Sequence, residues 1–211
     1  MKILEKLFVN IVVISALFSC KHPSNTEDVL LENLYKDSVY LIFRGTESKE
    51  GGLAKKFNLH HKDVSHVGIL LYNQNHWTVY HVMNDFSKES SFHSEKIESF
   101  LDKTKENIDY ISIYHAIPFD KKIIQNRIDE VSKNNIKFNY TFSDNENELY
   151  CTQFVIKTLQ NSTHKFLSYK KHITNLQHRI VIKKDTIDYY PVDMFFEDNR
   201  FQKKFEWFAK Y

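Results

Sequence analysis

Two cysteines in 211 residues, Cys20 and Cys151, are too few for a disulfide framework. Four glycines leave no glycine-rich phosphate loop and no glycine-flanked serine elbow. After residue 20 no apolar run is long enough to cross a bilayer. Charge of one sign is also lacking: 29 basic residues nearly cancel 27 acidic ones, giving a formal charge of +2 without a long basic run, which argues against a nucleic-acid partner. The chain shows no internal repeat and no second composition, so one domain is the economical reading.

What is present begins at the N-terminus. Lys2 and Lys6 precede an apolar stretch from Leu7 to Phe18 interrupted only by Asn10 and Ser15, and Ser19-Cys20 follows. This is a charged leader, a hydrophobic segment too short to span a membrane comfortably, and a small residue before a cleavage point. Leu17-Phe18-Ser19-Cys20 reads as a bacterial lipobox in which Cys20 becomes the lipid-bearing first residue. Residues 1–20 are therefore expected to be a lipoprotein signal peptide, 21–28 a polar tether, and 29–211 the folded domain of an envelope protein held to a membrane through Cys20. With Cys20 so assigned, no internal disulfide can form, and Cys151 is the cysteine left for chemistry.

Periodicity predicts an α+β order. Val29 to Tyr35 reads as a short helix, Val39 to Phe43 as a strand, and Thr46 to Asp63 as a polar loop. A second strand, from Ser65 to Tyr72, turns back at Asn73-Gln74-Asn75 into Trp77–Val82. Lys96–Lys103 and Phe119–Asn134 are expected to be helical, Tyr110–Tyr114 and Ile180–Ile182 to be strands, and a helix is expected to start near Cys151.

His66 opens the second strand and Cys151 opens the amphipathic stretch Cys151-Thr152-Gln153-Phe154-Val155-Ile156-Lys157-Thr158-Leu159. A thiol at a helix start has its thiolate favoured by the helix dipole, which predicts a lowered pKa, and an imidazole on a sheet can take and return the proton. Backbone N–H groups at that helix start can hold an oxyanion. A two-residue turn at Asn73-Gln74 makes His66 and His81 direct cross-strand neighbours, so that His81 can orient the first imidazole.

These residues, together with Leu41-Ile42-Phe43-Arg44-Gly45, Ser65-His66-Val67-Gly68-Ile69, Val79-Tyr80-His81-Val82, Leu149-Tyr150-Cys151-Thr152-Gln153 and Tyr190-Pro191-Val192-Asp193, resemble the permuted papain-like amidases of the YiiX/YaeF type, within the NlpC-type superfamily of cell-wall cysteine peptidases. The matches keep their order over most of the chain after residue 38. The resemblance implies a permuted papain-like fold in which an antiparallel sheet packs against the helix carrying the nucleophile. It implies Cys151 as nucleophile, His66 as general base and acid, and His81 as the third polar residue. The third position is commonly Glu in that family, and the usual Cys-Ser-Glu reads Cys151-Thr152-Gln153 here. Two histidines with one cysteine resemble instead the lecithin:retinol acyltransferase-like enzymes.

The expected activity is cleavage of amide bonds in stem peptides or other small peptides through a thioester, with a lipid-directed amidase, acyltransferase or phospholipase as the alternative and a non-catalytic cleft-binding lipoprotein as the third reading. Arg44 and Tyr150 are candidates to line the groove that takes a peptide or acyl-amide substrate. No cofactor is expected. His60-His61 sit in a polar loop and read as solvated histidines, so no metal site is expected either.

Overall fold

The computed structural model describes residues 31, 33–85, 87–102, 107–161, 163–175, 179, 180 and 182–209. The lipobox, Cys20 and the tether lie outside them, as do Val29, Leu30 and Glu32 of the helix expected over Val29–Tyr35, whose described residues Asn33, Leu34 and Tyr35 are turn and irregular chain. Contacts divide the chain into Met1–Leu34 and Tyr35–Tyr211, and the fold below is that of the second unit.

Its frame is a six-stranded antiparallel sheet. In chain order the elements are β1 (Tyr40–Thr46), α1 (Lys49–Lys55), β2 (His66–Asn73), β3 (His76–Val82), β4 (Phe92–Lys96), α2 (Ile97–Phe100), β5 (Ile108–Ala116), α3 (Lys121–Ser132), β6 (Lys137–Phe138), β7 (Glu148–Leu149), α4 (Cys151–Leu159), β8 (Tyr169–His172), β9 (Thr186–Tyr189), a 3₁₀ turn (Val192–Phe195) and β10 (Phe201–Phe208). The main sheet runs β10-β5-β1-β2-β3-β4, and two small two-stranded sheets pair β6 with β7 and β8 with β9. Every residue of the central strand β1 is buried, so the sheet is covered on both faces there. The fold class is α+β with a large antiparallel sheet.

One face carries the main core. Val67, Ile69 and Leu71 of β2 pack there with Phe154, Val155 and Leu159 of α4 and with Ile124 and Ile128 of α3. Alternation along β2 then sends His66 and Gly68 to the other face, with Arg44, the direct partner of His66 on β1. α3 is started by Asp120, whose Oδ1 accepts from Ile123 N at 2.9 Å.

Three expectations are corrected. The polar loop after β1 contains α1, capped by Ser48 Oγ accepting from Gly51 N at 3.0 Å. Paired glycines disfavour a helix by propensity, but a Cβ on Gly51 would stand 2.2 Å from Thr46 Oγ1, so close packing on β1 requires glycine there. The expected strand at Ile180–Ile182 is helical at Arg179, Ile180 and Ile182, with Lys183 N donating to Arg179 O. At α1 tertiary packing overrides local preference, and at the second segment Ile180 is exposed while Ile182 is buried with Ile173, Ile187 and Tyr189, a separation that a helical turn provides and a strand of period two does not. The third correction is the hairpin turn, which falls on Gln74-Asn75, both with positive φ (48° and 65°). Asn73 stays in β2 opposite His76, its Nδ2 donating to Tyr80 Oη at 3.0 Å and to Gln125 Oε1 at 2.5 Å. Those side-chain bonds hold Asn73 in the ladder and push the turn one residue along.

Candidate active site

The turn sets the register, and the register sets the histidines. Leu70 pairs with Val79 and Ile69 with Tyr80, so His81 comes beside Gly68 rather than His66. The ladder is displaced by two residues from the expected one, and an even displacement keeps each side chain on its face. His66 and His81 are therefore diagonal neighbours on one side of the sheet. Gly68 makes the diagonal short: a Cβ there would lie 3.2 Å from the Cβ of His81 and 2.8 Å from Val79 Cγ1. With no side chain between them, His66 Nε2 stands 2.9 Å from His81 Nδ1, with the rings nearly perpendicular.

β4 extends the line. His93 is the direct partner of His81, and Glu95, two residues further along β4, is on the same face. Glu95 Oε1 is 2.9 Å from His81 Nε2, and the His93 ring stacks on His81 at 5.3 Å. Phe100 of α2 closes the group. Its ring meets His81 at 5.1 Å and His66 at 5.8 Å, while the Arg44 guanidinium lies over it at 4.5 Å and donates from Nη1 to Phe100 O at 2.7 Å.

The electrostatics follow from this packing. Burial first, then the neighbouring His81, Arg44 and His93, hold the His66 pKa well below its usual value. Burial also lowers His81 to about 4, against the opposing hydrogen bond that His81 donates to Glu95. Glu95 is lowered to about 2, chiefly by its bond to His81 and further by one from Ser99. The resting state is a carboxylate facing two neutral imidazoles.

Cys151 begins α4 after Tyr150, which has extended backbone and no side-chain cap. The helix is buried at every position but Lys157. The thiol lies in the main core cluster, its hydrogen-bonding neighbour the Thr152 hydroxyl at 3.8 Å. Burial raises its pKa, while the Thr152 side chain and the backbone N–H groups of Val67, Thr152 and Cys151 itself pull the other way. The direction is opposite to the lowered pKa expected of a helix-start thiol, because desolvation outweighs these hydrogen bonds. The thiol and the imidazole are both neutral, and no hydrogen bond joins them in this state. Both line a cavity of about 560 Å³ at the N-terminal end of β2, whose wall also includes Ser65, Tyr150 and Thr152.

Arg44 and Tyr150 both reach that cavity. The Arg44 guanidinium is turned into the Phe100 contact, and Tyr150 Oη accepts from Tyr190 N at 2.8 Å, which ties the helix start to the strand leading to Pro191. The remaining wall is mainly aromatic and aliphatic, with Phe57, Phe138, Tyr140, Phe142 and Tyr189 among its residues. Two buried polar residues of the motif segments have local explanations. Gln153 accepts from Asn139 Nδ2 at 3.0 Å, so an amide takes this place without burying a charge. The carboxylate of Asp193 accepts from Leu59 N at 3.0 Å, His60 N at 2.7 Å and His61 N at 2.9 Å, fixing the loop beside the cavity.

The sequence reading missed Glu95. The signal was present but weak: Phe92-His93-Ser94-Glu95-Lys96 puts His93 and Glu95 at period two, without the β-branched residues that mark a strand.

Among the solved structures the chain is similar to the crystal structure of the metalloprotein YiiX from Escherichia coli O157:H7 (DUF1105), with a TM-score of 0.59 and 12% identity, over 83% of this chain and all of that one. The fold is YiiX-like. No protein-family model matches the chain, and no curated protein matches its sequence. That neighbour is described as a metalloprotein, but the donors here do not fit an ion. Among the described residues no three His, Cys, Asp or Glu side chains gather as a metal site, and the facing nitrogens of His66 and His81 are committed to each other.

Proposed function

We propose that the protein is a cysteine-dependent hydrolase or acyltransferase in which Cys151 attacks a carbonyl and His66 moves the proton. The observation that carries this is the convergence of the start of α4 and the start of β2 on one cavity, with His66 already oriented through Nε2 by His81. Nδ1 of His66 has no partner among the described residues and is the nitrogen left for the thiol. As sulfur bonds to the carbonyl carbon, that nitrogen takes the thiol proton; it then returns the proton to the leaving amine or alcohol, giving an acyl thioester that water or another acceptor resolves. The N–H groups of Cys151 and Thr152, which face the sulfur, are the donors this reading assigns to the oxyanion. Because both partners are neutral at rest, the ion pair forms during attack.

The permuted papain-like topology, the thiol nucleophile and the amide-bond specificity belong to this proposal. Stem peptides or other small peptides are the first substrate class. A specific observation favours the acyl-chain alternative: the cavity is walled mainly by aromatic and aliphatic side chains, with Leu53 and Tyr140 exposed at its rim. We place the protein in the bacterial envelope, held to a membrane by a lipid on Cys20, with no cofactor. The deciding experiment incubates the purified protein with peptidoglycan stem-peptide fragments, N-acyl amides and phospholipids, with mass-spectrometric detection of products. Turnover of one class by wild type and not by Cys151→Ala supports the reading; equal turnover by both sinks it. Lipidation is tested separately by intact mass and detergent partitioning of wild type against Cys20→Ala.

A further inference from the structure

We propose that Glu95 is a positioning residue that fixes the tautomers of both histidines and so keeps Nδ1 of His66 free as the base. The inference rests on the reading of Cys151 and His66 as the reacting pair and adds a residue that neither the sequence motifs nor the structural likeness assigns.

The argument is one of donors and acceptors. An ionised carboxylate only accepts hydrogen bonds, so at 2.9 Å from Glu95 Oε1 the Nε2 of His81 must carry the proton. A neutral imidazole has a single N–H, which leaves a lone pair on His81 Nδ1. That lone pair faces His66 Nε2 at 2.9 Å, so Nε2 of His66 must be the donor. The lone pair of His66 then falls on Nδ1, the nitrogen without a partner among the described residues. Without the carboxylate the two-ring chain has a second arrangement: His81 Nδ1 donates to His66 Nε2, and the proton of His66 sits on Nδ1, where it blocks thiol deprotonation. The rings alone do not distinguish these arrangements, and the acceptor at the end does.

The surroundings reinforce that choice. Ser99 supplies a further hydrogen bond to Glu95, and the positive charge of Arg44 favours its ionised form. Phe100 packs against both His66 and His81, and His93 stacks on His81 from β4. When His66 takes the thiol proton it becomes an imidazolium whose Nε2–H still donates to His81, so no second proton transfer is needed. Glu95 acts at two rings' remove and touches no reacting atom.

The test uses the full chain labelled with ¹⁵N in its histidines. Long-range ¹H–¹⁵N correlations distinguish the two tautomers, and His66→Gln and His81→Gln assign the signals. Wild type is expected to show Nε2–H at both rings. Glu95→Leu, and Glu95→Met as the variant of similar length without an oxygen acceptor if the first does not fold, should populate Nδ1–H at His66. In parallel, acylation of Cys151 by p-nitrophenyl acetate should slow about tenfold or more in the same variants, with recovery in Glu95→Asp. Nδ1–H at His66 in wild type, or tautomers unmoved in both variants, would overturn the proposal. Equal acylation rates in wild type and variants with altered tautomers would remove Glu95 from the mechanism alone, whereas absent acylation of wild type would overturn the reading of Cys151 beneath it.

Discussion

His66 and His81 are joined at 2.9 Å although they are not cross-strand partners, because Gly68 stands between them without a side chain and His81 leans across its place. The contact belongs to the face of β2 that turns away from α4. His81 is wholly buried, so under the proposed mechanism it would orient His66 rather than meet substrate.

That role predicts an order among variants. Glutamine at position 81 can accept from His66 through its carbonyl and donate to Glu95 through its amide. His81→Gln should therefore keep more activity than His81→Ala, which leaves both neighbours unpaired. His81→Glu should be as poor as alanine or worse, since a second carboxylate would face Glu95. Losses in kcat of about 10- to 100-fold with little change in KM are expected for alanine. Equal kcat in all three variants, with altered thermal stability alone, would show that His81 only packs.

The thiol makes a second prediction. Burial raises its pKa above the ordinary cysteine value, so alkylation by iodoacetamide should be slow near neutral pH and climb above pH 9. A rate profile with its midpoint near or below 7 would mean that a thiolate–imidazolium pair exists at rest, contrary to this geometry.

Much of this was legible beforehand, for identifiable reasons. β2 and α4 have strong apolar patterns and carry the motif residues, so His66 and Cys151 could be placed on their elements from the chain alone. The face shared by His66 and His81 also survived the wrong turn, because the error in register was even. The expected lowering of the thiol pKa is not found because spacing shows where a thiol lies in a helix but not how completely the helix is buried. Glu95 was hidden because β4 is a short strand with a polar sequence, held by its pairing to β3 rather than by its own propensity.

Stability should depend on pH through the same residues. His81 is neutral in the folded protein down to about pH 4 but protonates near 6.5 when unfolded. Unfolding then takes up a proton, so stability is full above about 6.5 and falls as pH drops toward 4. The loss from His81 alone is about 3 kcal/mol at pH 4, and His66 acts in the same direction. Glu95 adds a later loss, since a carboxylate lowered from 4.5 to about 2 stabilises the fold above 4.5 and ceases to as pH falls toward 2. Urea midpoints at pH 7, 5 and 4 should decline in wild type and flatten in His81→Gln. A midpoint unchanged between pH 7 and 4 would contradict the buried neutral pair.

The central claim, that Cys151 attacks carbonyls with His66 as its base, is tested most directly by trapping the acyl-enzyme. Wild type, Cys151→Ser and His66→Ala are each exposed to p-nitrophenyl octanoate at pH 7.5, quenched in acid, and read by intact and peptide mass. The account predicts one hydroxylamine-labile octanoyl group on Cys151 of the wild type, with little or none on either variant. Octanoyl on lysines alone, or Cys151 acylated equally fast in His66→Ala, would contradict it.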